Sequence, residues 1–498
     1  MYTVMKNWIL PALLLSRTAV GLQIPLPFDS SVLEKWMPFG QEQVHHYSTV
    51  DENEWPINVQ QYQNEVVIRV DYSKSRDLKK YLFSTRYSSE DSGEKVVFKR
   101  WSNNNIKQYV DLQINEQNLV KLVDSFPSLN YTIIIDDLAQ KVFETYPENY
   151  EKPSQKKLYS SKKSYQYKAT EEVVEATKLN ALSELFFKEY RPLETIDAWL
   201  EILQQTYPNI ITLEDIGHTY EHRSYKVVHF HVPNNDEHGD RKTIVVTGGV
   251  HAREWISVSS VLFTIYELLQ LYVENPNSKI LKELDFLFIP VSNPDGYEYT
   301  WTTDRLWRKN RQETIFPRCF GIDIDHSFDF HWTKSSDWAC GEEYSGEVPF
   351  EAIETQIWEQ YLNATNNDHK IWGYIDLHSY AEEVLYPYAY SCSEMPRDEE
   401  NLIELAYGIS KAIRMQSGKT YSVLPACIDK DVDLLPDLGA GNGLDYMYHN
   451  RAYWAYQLKL RDSGSHGFLL PGKYIEPVGM EIFAGIKYFC SFILSDDR

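Results

Sequence analysis

The chain has 498 residues, of which 43% are apolar and 24% charged. That profile excludes a disordered protein and suggests two or three domains. Its 49 Lys and Arg stand against 72 Asp and Glu, a net charge of −23, which argues against nucleic acid and anionic lipid as main partners because both would be repelled. Five Cys exclude a disulfide-dense miniature scaffold and leave room for one or two bridges.

Residues 1–21 read as a secretory signal peptide. Lys6 supplies the positive start, residues 8–15 a short apolar run, and Ala19, Val20 and Gly21 a small-residue cleavage point. Pro11 interrupts that run, and a spanning helix needs about 20 apolar residues. No later stretch is expected to be long and apolar enough to span a bilayer. A secreted protein without a membrane span follows, with the vacuole as the other address on the same route. On that route Asn130-Tyr131-Thr132 and Asn363-Ala364-Thr365 are usable glycosylation sequons.

Residues 22–146 form the next unit, a small α+β domain. Residues 65–70 alternate like a strand, 78–84 carry a helical face, 107–114 and 131–135 read as strands, and 116–126 as a helix. The implied order, strand-helix-strand-strand-helix-strand, suits a sheet with helices on one face. Residues 147–181 then bring Lys152, Lys156, Lys157, Lys162, Lys163 and Lys168 among Ser, Gln and Tyr with almost no aliphatic periodicity. This is an exposed basic linker, open to proteases.

From 182 to 498 strands and helices alternate. Residues 242–247, 286–291 and 371–377 read as strands, and 255–271, 401–415 and 477–494 as helices. The expected fold class is α/β, a mixed and largely parallel sheet covered by helices. His251 and Glu254 follow the first of these strands directly, and His378 closes the last. His, Glu and His make a zinc ligand set with an open fourth position, and open sheets gather ligands at the carboxyl ends of their strands.

A bare His-x-x-Glu is common, but its surroundings here are specific. Gly248-Gly249-Val250-His251-Ala252-Arg253-Glu254-Trp255-Ile256, Asn293-Pro294-Asp295-Gly296-Tyr297, Arg305-Leu306-Trp307-Arg308-Lys309, Leu377-His378-Ser379-Tyr380, Leu385-Tyr386-Pro387-Tyr388 and Leu460-Arg461-Asp462-Ser463-Gly464 occur in this order. Together they resemble the metallocarboxypeptidases of the pancreatic A/B type. The resemblance implies one zinc ion on His251, Glu254 and His378, with Arg308 polarising the scissile carbonyl and Arg253, Ser379 and Tyr380 in substrate subsites. It puts Leu444 where side-chain preference is set, which implies an apolar pocket, and it pairs Cys319 with Cys340. Cys392 and Cys427 are then free to pair, leaving Cys490 as a buried thiol. Residues 22–146 resemble the family's pro-segment.

Two departures bear on activity. Active members hold the substrate carboxylate with an Asn-Arg pair, where this chain has Asp325 and His326. An anion replaces the amide and a pH-dependent cation the bidentate guanidinium. Active members also carry a Glu general base where this chain has Lys459, and no Asp or Glu lies between 446 and 461 to restore it by a register slip. The substrate-capping Tyr is missing as well, with Asp437 nearest its place. Losing a general base costs about 10²–10⁴ in rate, and an ammonium near the metal opposes it unless Asp325 pairs with Lys459. The chain most resembles the fungal secreted inactive carboxypeptidase-like proteins linked to cell-wall organisation. The expectation is a monomeric, catalytically inactive homologue that keeps zinc, with a peptide or cell-wall ligand as partner. Two alternatives stand beside it: an atypical active carboxypeptidase using Glu342 or Glu343 as base, and a secreted receptor that binds peptide or glycan in the former cleft.

Overall fold

The computed structural model describes residues 57–83, 96–147, 182–233, 241–429 and 440–495. The expected signal peptide, residues 148–181 of the expected linker and Asp437 lie outside them. The first compact unit, Met1–Asp51, also lies outside; the second runs from Glu52 to Arg498 and holds both sheets described here.

The first sheet has four antiparallel strands in the order β2-β3-β1-β4. They are β1 (Glu65–Asp71), β2 (Phe98–Asn104), β3 (Tyr109–Asn115) and β4 (Asn130–Ile135), with helices Arg76–Phe83 and Glu116–Ser125 between them. The expected order is observed; β2 is the strand that the sequence implied without locating. Side chains alternate along a strand, so Val66, Ile68 and Val70 pack with Leu78, Leu82 and Leu122 of the two helices. Val67 faces the other way. It joins Trp101, Ile135, Leu138 and Val142 in a second cluster completed by Leu306, Tyr380, Phe468 and Leu469 of the larger body. Both faces of this sheet are therefore covered, one by the two helices between its strands and the other by residues of the larger body.

The larger sheet has eight strands in the order β11-β10-β12-β9-β7-β8-β6-β5. In chain order they are β5 (Ile211–His218), β6 (Ser224–Phe230), β7 (Lys242–Gly248), β8 (Leu284–Ile289), β9 (Lys370–Ser379), β10 (Glu383–Tyr386), β11 (Ser422–Pro425) and β12 (Trp454–Leu460). The centre, β12-β9-β7-β8, is parallel, while β5, β6 and β10 join their inner neighbours antiparallel. Central strands are buried on both faces and read as continuous apolar runs, as in Leu284–Ile289, which is buried throughout. Helices cover both faces. Gly373 of β9 meets Phe489 of helix Ile475–Ser495, while its neighbour Tyr374 lines a small cavity on the opposite face with Trp358 of helix Ile353–Ala364.

One expectation fails here. Helix Trp255–Glu274 and the segment Gly472–Ser495 are both long and apolar enough to cross a membrane. In this fold most of each lies inside the protein, because a helix between a sheet and other helices is apolar for the same reason as one in lipid. Disulfides join Cys319 to Cys340 and Cys392 to Cys427, and Cys490 is a buried free thiol.

Candidate metal centre and cleft

Strand β7 ends in a tight turn that delivers His251. Gly249 has φ +67°, a left-handed conformation that favours glycine, and a Cβ there would lie 2.6 Å from Val258. Ala252 N–H donates to the Arg308 carbonyl at 2.9 Å, and Glu254 is the N-cap of helix Trp255–Glu274. Asn293 secures the next turn: its Oδ1 accepts from Gly296 N–H, and its Nδ2 donates to the Val250 carbonyl at 3.1 Å. Arg305 is fully buried; it donates to the carbonyls of Arg253 and Phe468 and lies 3.6 Å over the Trp255 ring. Gly249, Ala252, Asn293 and Arg305 thus shape the site without lining it.

At the centre, His251 Nδ1 lies 2.9 Å from Glu254 Oε1, and His378 Nδ1 lies 3.2 Å from Glu254 Oε2. The outward nitrogens are engaged as well. His251 Nε2 is 3.2 Å from Asp323 Oδ1, and His378 Nε2 is 2.9 Å from Asp376 Oδ2. A carboxylate behind each imidazole fixes its orientation, the arrangement that accompanies metal-ligating histidines, and against the effect of burial Asp376 and Glu254 push the His378 imidazole well above its usual range. Burial alone would raise the Glu254 carboxyl, but His251 and His378 hold it well below the usual carboxylate range. The donor set fits zinc. Asp325 also brings a carboxylate oxygen within 4.8 Å of ligand nitrogens of His251 and His378. Its oxygens, however, accept from Asn442 Nδ2, Gly443 N–H and Gln457 Nε2 at 3.0, 3.1 and 3.3 Å, and Gln457 touches His378 on the Nε2 side. Asp325 is thus engaged by three donors of the chain while lying on the cleft wall next to the imidazoles.

The cleft above this centre has a volume of about 200 Å³, and its walls include Arg253, Arg308, Asp325, His326, Ser379, Tyr380 and Lys459. Nearly every candidate residue is brought to one place. Leu444 is the exception: it is fully buried in the main core rather than on the described cleft wall. Its helix, Gly443–Asn450, starts at the cleft with Asn442, so the first turn carries Leu444 beneath the surface. The carboxylate beside Lys459 is Glu383, 3.9 Å away and opposite it in the β10–β12 ladder, not the expected Asp325. Arg308 is held by Asp323, at 2.9 Å. Glu342 is paired with Arg253 at 3.0 Å and Glu343 with Arg100 at 3.1 Å. Of the sequons, Asn130 is exposed and donates to Asp71 at 3.0 Å, and Asn363 is exposed on helix Ile353–Ala364.

Two sets of residues were not singled out from sequence. Asp323 and Asp376 each had a signal, since Asp376 stands two residues before His378 on the same strand face and Asp323 lies two residues before Asp325. The other set comes from the front sheet. Phe83, Arg100, Trp101, Ser102 and Asn103 line the cleft, and Asp111 accepts from Tyr380 Oη at 2.8 Å and from Arg69 Nε at 2.7 Å. Arg69 also donates to the Ser463 carbonyl at 3.0 Å. The front sheet roofs the site, which no local pattern announces.

The profile of the zinc carboxypeptidase family, peptidase M14, matches residues 196–485. The inactive metallocarboxypeptidase ECM14 of Saccharomyces cerevisiae is 56% identical over 315 residues, spanning 63% of this chain and 73% of its own. The protein of the same name from Sclerotinia sclerotiorum is 38% identical over 408 residues, 78% of this chain and 67% of its own. Among solved structures, thrombin activatable fibrinolysis inhibitor superposes with a TM-score of 0.69 at 24% identity, covering 87% of this chain and 100% of that one; it shares the fold. The chain belongs to the zinc carboxypeptidase family, as one of its inactive homologues.

Proposed function

We propose that this protein is secreted, holds one zinc ion on His251, Glu254 and His378, and acts as a monomer by binding a peptide or cell-wall ligand in a cleft that no longer cleaves. Its place in cell-wall organisation, outside the cell or in the vacuole, is part of the same reading. The supports are the leader-like residues 1–21 and the similarity to the inactive fungal relatives.

The single observation that carries the reading is the contrast between an ordered donor set and the ammonium of Lys459 beside it. Zinc bound there would act as a Lewis acid toward a carbonyl oxygen. The chain's own residues do not complete the reaction. Lys459 cannot take a proton while charged, and Asp325, held by three donors, presents an anion where a substrate carboxylate must sit. Glu342 and Glu343 line the cleft but are engaged by Arg253 and Arg100, and against the effect of burial Arg253 holds the Glu342 carboxyl below its usual range, which disfavours the atypical enzyme. The test combines metal analysis with a peptidase assay on peptides with free and blocked C-termini, before and after proteolysis of the linker. Zinc without release of amino acids supports the reading. Metal-dependent release that Glu254→Ala abolishes overturns it.

A further inference from the structure

At the opposite end of the large sheet from the cleft, three side chains converge from two strands. His229 of β6 and His231 just beyond it are two residues apart and project from the same face. Asp285 of β8 stands beside them, because β6 and β8 pair antiparallel with Phe230 opposite Phe286. Ligand atoms of His229, His231 and Asp285 lie within 4.8 Å of one another, and His231 Nδ1 is 2.8 Å from Asp285 Oδ1. The His229 Nε2 atom is buried and has no hydrogen-bond partner. His369, in the segment leading to β9, sets its ring 5.0 Å from that of His229, and its Nδ1 is likewise buried and unpartnered. Buried ring nitrogens left without partners are costly, and two neighbouring imidazoles in that state beside a third and a carboxylate make a donor set for a borderline transition metal.

We infer that His229, His231 and Asp285 form a second divalent transition-metal site, with His369 as the candidate fourth donor, that clips β6 to β8 far from the cleft. Zinc is the expected ion, since mixed imidazole and carboxylate donors suit it. Arg241 is the local opponent: its Nη1 lies 3.1 Å from Asp285 Oδ1 and 3.4 Å from His231 Nδ1. A bound cation displaces that guanidinium, so the site has a built-in competitor whose removal strengthens it.

The experiment is zinc uptake by the full chain after metal removal, followed by dialysis and elemental analysis. Wild type takes up one ion more than the His229→Gln/His231→Gln variant, and His378→Gln keeps the uptake that the double variant loses. Arg241→Gln fills the second site at lower free zinc than wild type. Zinc-edge anomalous scattering from a zinc-soaked crystal of wild type locates the ion between His229 and Asp285 without any substitution. Uptake unchanged by the double substitution, or no anomalous peak at that position, overturns the inference. Loss of uptake only in His378→Gln does the same while leaving the cleft assignment intact.

Discussion

Two walls of one cleft have had different fates. The metal wall keeps both imidazoles, the bridging Glu254, and a carboxylate behind each ring. The substrate wall presents Lys459, His326 and an Asp325 already satisfied by its neighbours. Holding a cation needs only converging donors fixed by local turns. Turning over a peptide also needs a proton acceptor and an anion clamp on separate elements. The two abilities are physically separable, and this molecule retains the donors that the first requires.

The strongest test of that contrast is to rebuild the second wall. Lys459→Glu with Asp325→Asn and His326→Arg should raise peptide hydrolysis by about 10²–10⁴ over wild type in a steady-state assay. Lys459→Glu alone should give far less, because a carboxylate there faces Glu383 across the ladder and substrate stays unanchored. Equal turnover from the single and triple variants would break the comparison.

A smaller effect sharpens the first wall. Asp376→Asn should weaken zinc by about 10–100-fold in a chelator competition, since the amide cannot support the His378 ring as a carboxylate does. Unchanged affinity would mean that the carboxylate behind this ring is dispensable.

Beneath the cleft, Glu354 lines a small cavity with Asp325 and Asp376. Its Oε2 accepts from Asn310 at 2.8 Å, and its Oε1 has no partner. Burial pushes its carboxyl from 4.5 up to about 7. The folded state keeps this proton where the unfolded state has lost it, so the contribution to stability is complete below about pH 4.5 and disappears as pH rises through 7. The difference corresponds to about 3 kcal/mol. Glu354→Gln should therefore flatten the stability profile across this window and leave the variant more stable than wild type at pH 8, measured by urea unfolding. A variant that loses stability at pH 8 would show the ionised carboxylate to be needed.

The smallest effect concerns the roof. Arg100→Ala removes a partly buried ion pair with Glu343 at the cleft rim and should cost about 1 kcal/mol or less in unfolding. Even so, it should speed proteolytic release of the front sheet, because that pair sits at the cleft rim. A large loss of stability would mean that the roof is an integral part of the body.

The sequence by itself placed His251, Glu254 and His378 at the ends of two strands and showed Lys459 where active members of the family it resembles carry a Glu, without locating β12, the strand that holds it. A strand, a glycine turn and the residues just past it are local, and their spacing fixes what can converge. The strand-helix order of the front sheet was legible for the same reason. Tertiary structure alone decided the rest. Val67 is buried because a second body covers its face, Leu444 is core because its helix begins at the cleft and turns inward, and Lys459 meets Glu383 through strand pairing. The contact from Asp111 to Tyr380 spans 269 positions. Pairings at such separation depend on how sheets and helices pack, and no periodicity along the chain encodes them.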